Sequence, residues 1–399
     1  MNIVTREVPI LVIGGGIGGI AAALALAREG HPVKVLEQAR ALGEIGAGIQ
    51  LGPNAFAAFD ALGVGERARS KAVHVDRLVM MDAVDGMPVV DMPVGETFRR
   101  RFGNPYAVTH RADVHMMLLE SALATDRIEF VTSTRIVDIE QNASGATAID
   151  ADGNRHNGIA LIGCDGGKSA VRQRLIGDAP QVSGHVVYRA VVEAGDFPVD
   201  LQWNAPVLWV GPDCHLIHYP VRHGDQYNLV LTFHSDKRET WGVSEGDQEE
   251  VMAHFVGIDE RPHRLLSLPK SWKRWATADR APLEQWSIGR ATLLGDAAHP
   301  MLQYLGQGAC MAVEDAVTLG AALRVDRDDL PRAFGHYERS RVARTARAVL
   351  SAREFGRLCH AKGVERIVRN NLWKGRTPER LYDALEWLYG WRADTCLAA

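Results

Sequence analysis

The sequence predicts an α/β protein: a Rossmann-like α/β unit, an antiparallel sheet inserted into it, and a helical C-terminal region. Three observations carry this expectation. A β-branched run, a glycine-rich turn, an Ala/Leu-rich helix and a second β-branched run follow one another within residues 10–37. From about Val73 to Phe102, and again from about Val182 to Trp286, apolar and polar residues alternate with the period of half-buried strands. Beyond about Ser351 the chain reads as helix.

Each element of the first unit has a reason. Ile10-Leu11-Val12-Ile13 is short and apolar, as a buried parallel strand should be. Gly14-Gly15-Gly16-Ile17-Gly18-Gly19 follows, and Ile20 to Glu29 reads as a helix that Gly30-His31-Pro32 ends. Val33 to Leu36 is a second strand, closing on Glu37. Gly14 permits the tight turn, Gly16 lets backbone approach a pyrophosphate, and Gly19 lets helix and strand pack closely. Ile17 and Gly18 stand where a helix N-terminus offers free N–H groups and a positive dipole end to phosphates. Glu37 is placed to accept hydrogen bonds from ribose hydroxyls. This much predicts a dinucleotide and does not separate FAD from NAD.

Composition narrows the classes. The 399 residues suggest two or three domains, with 46% hydrophobic and 24% charged residues describing an ordinary globular chain. A net charge of -4 gives no footprint for nucleic acid. The run Arg99 to Arg101 reads as a solvated surface loop. Five cysteines stand singly, which argues against a redox disulfide or a thiolate metal site, and no metal is expected. No secretory pattern opens the chain, and no stretch of about 18 apolar residues suggests a membrane span. A cytoplasmic protein without membrane insertion is expected.

A second informative stretch lies far along the chain. Ala291 to Leu294 reads as a buried strand, then come Gly295-Asp296-Ala297-Ala298-His299-Pro300, a loop to Gly306-Gln307-Gly308, and a helix from Ala309 to about Leu323. Asp296 can bond a ribityl chain, although Asp after Gly is also a common turn residue. Backbone N–H groups at Gly308 and Ala309 can meet flavin N1 and O2, where negative charge collects on reduction.

Gly14 to Gly19, Cys164-Asp165-Gly166-Gly167-Lys168-Ser169-Ala170-Val171-Arg172 and Gly295 to Pro300 together resemble the three fingerprints of the class A flavoprotein aromatic hydroxylases, the para-hydroxybenzoate and salicylate hydroxylase family. The resemblance covers most of the chain. It implies FAD as cofactor, with Asp165 and Arg172 the polar members of a segment serving both FAD and a nicotinamide donor. It also implies that Arg111 contacts FAD, where the residues alone suggest a helix-start arginine. Ile45 to Gln50, including Gly48, would lie alongside the isoalloxazine ring. No second Gly-x-Gly-x-x-Gly occurs, so the donor is expected to bind transiently on the same module while the flavin swings between exposed and enclosed positions. The domain organisation follows: a discontinuous FAD domain of residues 1–72, 103–181 and 287–350, a substrate domain of 73–102 and 182–286, and a helical region of 351–399. The tail Trp387-Leu388-Tyr389-Gly390-Trp391 is expected to tie into a core or a subunit interface, and a homodimer is expected.

The candidate substrate wall is Cys214-His215-Leu216-Ile217-His218-Tyr219-Pro220, a strand among those read at Val186 to Ala194, Val207 to Val210, Leu216 to Val221 and Tyr227 to His234. Period two puts His215, Ile217 and Tyr219 on one face and Cys214, Leu216 and His218 on the other. A base, an apolar wall and a phenol suit a hydroxyaromatic ligand, although a histidine in such a strand is more often a satisfied structural one. Gln303 can hydrogen-bond a substrate hydroxyl, or be an exposed loop residue; Tyr106 can close the pocket, or be a core tyrosine. Within the family, the resemblance implies para-hydroxylation of 3-hydroxybenzoate, a small aromatic acid, to 2,5-dihydroxybenzoate with NADH and O2 through a flavin C4a-hydroperoxide. His215 and Gln303 would then activate the phenol oxygen, and Tyr219 and Tyr106 would orient the ring or its carboxylate. The alternatives are a decarboxylating 1-hydroxylation of salicylate or hydroxylation of another small aromatic acid.

Overall fold

A computed structural model describes residues 7–43 and 47–397. Its centre is a five-stranded parallel sheet in the order Ala291–Leu293, Ala160–Gly163, Ile10–Ile13, Val33–Leu36, Ile128–Val131. Ile10–Ile13 and Ala160–Gly163 are buried throughout, as strands covered on both faces must be. The helices Ile17–Arg28 and Gly308–Val325 pack against each other over this sheet. The first helix begins at Ile17 rather than Ile20, since the glycines after Gly16 continue in helical backbone. Gly19 is required there: a Cβ would stand 1.9 Å from the Gly14 carbonyl oxygen. Gly14 itself has φ +106° and lies against the Cys164 carbonyl.

The substrate side is an eight-stranded sheet in the order Gly242–Glu245, Lys273–Asp279, Gln181–Glu193, Gln226–His234, Cys214–Val221, Val207–Gly211, Arg77–Asp82, Pro88–Pro93. It is mixed rather than antiparallel throughout, because Val207–Gly211 runs parallel to Arg77–Asp82, a partner from a distant stretch of chain. Two short helices, Gln248–His254 and Glu260–Leu265, interrupt the region read as strands. Both begin at an aspartate, Asp247 and Asp259, whose side chain accepts from the backbone two residues on. Glu96–Phe102 is likewise a helix, not a strand or a solvated loop. Phe98 and Phe102, four apart, bury one face against Tyr382 and Tyr389, while Arg100 and Arg101 pair outward with Glu96, Asp383 and Glu386.

Two smaller sheets join these parts: Ile136–Gln141 with Ala146–Asp150 and Arg155–Gly158, and Gly48–Leu51 with Ala107–His110 and Val73–His74. Ile45 and Gly46, which open the segment expected beside the flavin, lie outside the described residues; Gly48 to Gln50 form a strand. The helices Leu330–Cys359, Gly363–Leu372 and Pro378–Tyr389 complete the chain. The aromatic tail is tied into the core: Leu388 and Tyr389 are buried, and Arg344 donates to the carbonyls of Trp387 and Leu388. Among the described residues no helix is long and apolar enough to cross a membrane.

Candidate active site

One cavity of about 630 Å³ lies between the parallel sheet, the eight-stranded sheet and the C-terminal helices. Two helix N-termini open into it. Gly16, Ile17 and Gly18 line it at the head of Ile17–Arg28, and Gly308 and Ala309 at the head of Gly308–Val325. Neither end has a side-chain cap, so first-turn N–H groups are left for a ligand with anionic centres. A dinucleotide flavin presents a pyrophosphate for one and a ring that gains charge on reduction for the other. The residues present therefore fit FAD.

The glycine loop is held from outside the cavity. Glu37 accepts from Gly15 N at 2.6 Å and from Ala39 N at 2.8 Å, and His115 Nε2 meets the Gly15 carbonyl at 2.8 Å. Glu37, Gly14 and Gly19 thus shape the loop without bordering the main cavity. Asp296 and Arg111 do border it, the former exposed in the turn Gly295–Ala297 and the latter as first residue of the helix Arg111–Leu123.

The segment from Asp165 to Arg172 divides its duties. Gly166 reaches the cavity. Asp165 accepts from Ser169 Oγ and from the N–H groups of Ala170 at 2.7 Å and Val171 at 3.2 Å, so it caps the helix Ala170–Leu175; burial pushes its carboxyl up. Arg172 has no exposed surface, which corrects its assignment as a polar contact for FAD and a nicotinamide donor. It donates to Asp178 at 2.8 and 2.7 Å and to the carbonyls of Ala297 and Ala298 at 3.1 and 2.6 Å. The reason is distance along the chain: only the fold brings the 295–300 turn against it.

That turn is fixed by a buried ion network. Asp315 accepts from Gly295 N at 3.0 Å, His299 Nε2 at 2.6 Å and Arg341 Nε at 2.6 Å. Burial alone would raise this carboxyl, but His299 and Arg341 hold it down at about 2. Arg341 also donates to Glu314 at 2.6 Å, as does Asn54.

The facing wall carries the expected substrate residues. His215, Ile217 and Tyr219 line the cavity, while Cys214 and Leu216 enter the opposite core and His218 packs on Phe197. Burial pushes the His215 imidazole down to about 3, so it stays neutral at ordinary pH. Burial also raises the Tyr219 phenol, which remains protonated. Gln303 Nε2 donates to Thr232 Oγ1 at 3.2 Å, and Thr232 is the residue paired with His215 on the next strand. Tyr106 donates to Gln50 Oε1 and packs edge-on to Tyr389. The structure brings His215, Gln303, Tyr219 and Tyr106 to one cavity.

Two residues escaped the sequence reading. Arg189 lies on the same sheet face as Ile217, aligned with Val230 of the intervening strand, and lines the cavity. Its guanidinium stacks over Trp275 at 5.5 Å, and among the described residues no carboxylate is within ion-pair distance. Burial pulls its pKa down. A lone arginine in an apolar alternating strand was the signal available. His360, 2.8 Å from His215, gave none, because 145 residues separate the two.

A cavity that joins two uncapped helix ends to a wall of imidazole, amide and phenol groups suits a bound flavin facing a small ligand. The chain belongs to the FAD-binding monooxygenase family, whose FAD binding domain matches residues 7–350. It is 66% identical over 392 residues, 98% of both chains, to the 3-hydroxybenzoate 6-hydroxylase of Polaromonas naphthalenivorans (strain CJ2). It is 59% identical over 98% of both chains to the 3-hydroxybenzoate 6-hydroxylase of Klebsiella oxytoca. A salicylate hydroxylase solved as a substrate complex superposes with a TM-score of 0.81, at 28% identity over 98% of this chain and 97% of that one.

Proposed function

We propose that this enzyme hydroxylates 3-hydroxybenzoate para to its hydroxyl, giving 2,5-dihydroxybenzoate, with NADH and O2 as co-substrates. The observation that carries the reading is a neutral imidazole and an amide lining one cavity, beside an arginine that has no carboxylate partner among the described residues, in a chain 66% identical to a 3-hydroxybenzoate 6-hydroxylase. Bound FAD, once reduced by NADH, supplies an electrophilic oxygen derived from O2.

The chain's residues prepare the ring for it. His215 accepts the phenol proton, raising the electron density of the ring position para to the oxygen. Gln303, which donates one amide N–H to Thr232 Oγ1, has a second N–H to donate to the same oxygen as it ionises. Arg189 takes the carboxylate in a charge-assisted hydrogen bond, strong because the site is desolvated. Tyr219 and Tyr106, both kept protonated by burial, orient the ring and close the pocket to water. For the donor, a cleft beside Gly167 lined by Lys168, Arg238 and Trp241 offers cations and an aromatic face to a dinucleotide.

The test is NADH consumption across a panel of hydroxybenzoates with chromatographic identification of products. Stoichiometric 2,5-dihydroxybenzoate from the 3-hydroxy isomer is expected. Catechol and carbon dioxide from salicylate as the preferred reaction would overturn the reading.

A further inference from the structure

His360 caps the helix Leu330–Cys359 and stands directly behind His215. His215 Nδ1 and His360 Nε2 are 2.8 Å apart, with ring centres 5.0 Å apart and planes tilted by 42°. One facing nitrogen must carry the proton and the other the lone pair. With its Nδ1 turned to His360, His215 has Nε2 left for a ligand in the cavity it lines. The far nitrogen of His360, Nδ1, is buried without a partner among the described residues.

The imidazoles do not end there. The His185 ring centre lies 5.0 Å from that of His360, and the His234 ring 4.5 Å beyond His185, at the exposed end of the strand Gln226–His234. Tyr304 Oη meets His185 Nδ1 at 2.7 Å, and its ring packs 5.3 Å from His215. The other titratable groups against the cluster, Tyr304 and Cys359, are both kept protonated by burial. Burial and the neighbouring imidazoles hold His215 at about 3, His185 at about 4 and His360 well below the ordinary range. A proton accepted at His215 is therefore not stored there; it has to leave.

We propose that His360 positions His215 and relays its proton: it accepts the Nδ1–H of His215, which turns the Nε2 lone pair of His215 to the substrate phenol, and it draws that Nδ1 proton off as the phenol ionises. The inference rests on the function proposed above, since it needs a phenol at Nε2. The phenol O–H bond breaks and an Nε2–H bond forms on His215. The His215 Nδ1–H bond breaks and an Nε2–H bond forms on His360. The Nδ1 proton of His360 must then leave, and the imidazoles nearest it on the way to solvent are His185, 5.0 Å away between ring centres, and the exposed His234 beyond it. The net change is one proton from substrate to solvent, with no change of oxidation state, and the reverse flow on product release restores both tautomers.

Two variants of the FAD-loaded enzyme separate positioning from relay. The carboxamide of His360→Gln still accepts the Nδ1–H but passes no proton, whereas His360→Leu does neither. The readout is ionisation of bound 3-hydroxybenzoate, followed by its ultraviolet difference spectrum and by proton release to an indicator dye, without NADH. In His360→Gln, substrate Kd is expected to stay near the wild-type value while proton release slows about tenfold or more. In His360→Leu, ionisation of the bound phenol is lost and coupled hydroxylation falls roughly 10²-fold. Wild-type proton release in both variants would overturn the inference while leaving the proposed reaction intact. Loss in His360→Leu with wild-type rates in His360→Gln would overturn the relay. A wild-type enzyme that ionises no bound hydroxybenzoate would overturn the relay and the role of His215 as base, while the products formed decide the reaction itself.

Discussion

The turn at residues 295–300 and the strand Cys214–Val221 face each other across one cavity and bury polar groups in opposite ways. Behind the turn every charge is matched. Arg341 bridges Asp315 and Glu314, Asp315 grips Gly295 and His299, and Arg172 divides itself between Asp178 and two carbonyls. Along the strand side the groups are left open. Among the described residues, Arg189 has a ring beneath it and no carboxylate, and His360 has an unpartnered nitrogen. A paired buried charge has no affinity left for a ligand and fixes geometry; a desolvated group with an open partner position is poised to bind. The first wall holds a cofactor turn rigid, and the second is built to meet something that arrives.

Breaking the paired wall should have the largest effect. Arg341→Met leaves Glu314 with Arg344 alone and Asp315 with His299 alone as cationic partners, at a cost of about 3–5 kcal/mol. Calorimetry should show a large fall in Tm, and gel filtration should show loss of bound FAD; an unchanged Tm would mean that the network does not hold the turn. The same wall sets an acid limit. Asp315 at about 2 contributes stability that is present above the usual carboxylate pKa of about 4 and lost as pH falls toward 2. Acid titration of the intact protein should therefore release FAD within that window, and release that begins well above it would point to another group.

Breaking the open wall should spare folding and change chemistry. His215→Ala is expected to lower hydroxylated product by roughly 10²–10⁴-fold while NADH oxidation continues as peroxide formation. Fully coupled turnover by that variant would remove its role as base. Arg189→Met should weaken binding of 3-hydroxybenzoate by about 10–100-fold, the worth of a hydrogen bond to a charged group at ~1.5–3 kcal/mol. An uncharged analogue, 3-hydroxybenzyl alcohol, should bind the variant and the parent alike, and equal losses for both ligands would assign Arg189 to packing instead. The smallest change is expected for Tyr106→Phe, which removes one hydrogen bond to Gln50 and should cost about 1 kcal/mol in kcat/KM.

The parts that were legible in the sequence are those with local causes. The glycine turn at 14–19 was readable because strand, turn and helix are contiguous, and the faces of Cys214–Val221 because a strand alternates strictly. The helix at Glu96–Phe102 was missed because seven residues are too few to separate a period of 3.6 from one of 2 when arginines fill the gaps. Arg172 was misassigned for another reason: a fingerprint segment marks a region, while the direction of each side chain within it depends on what packs behind.

By itself the sequence determined the dinucleotide turn of Gly14, Gly16 and Gly19, the flavin stretch from Gly295, and the face on which His215 and Tyr219 lie. Each of these is encoded by spacing within a few residues. Only the tertiary structure decided that Arg189 and Gln303 line the cavity of His215 with His360 behind it, and that Arg172 turns away from the cavity to clamp the 295–300 turn. These residues stand from 26 to 145 positions away from His215 in the chain, and the farthest, His360, is the one that hydrogen-bonds it. At such separations the packing of sheets and helices, rather than local backbone preference, selects which polar groups meet and which stay open.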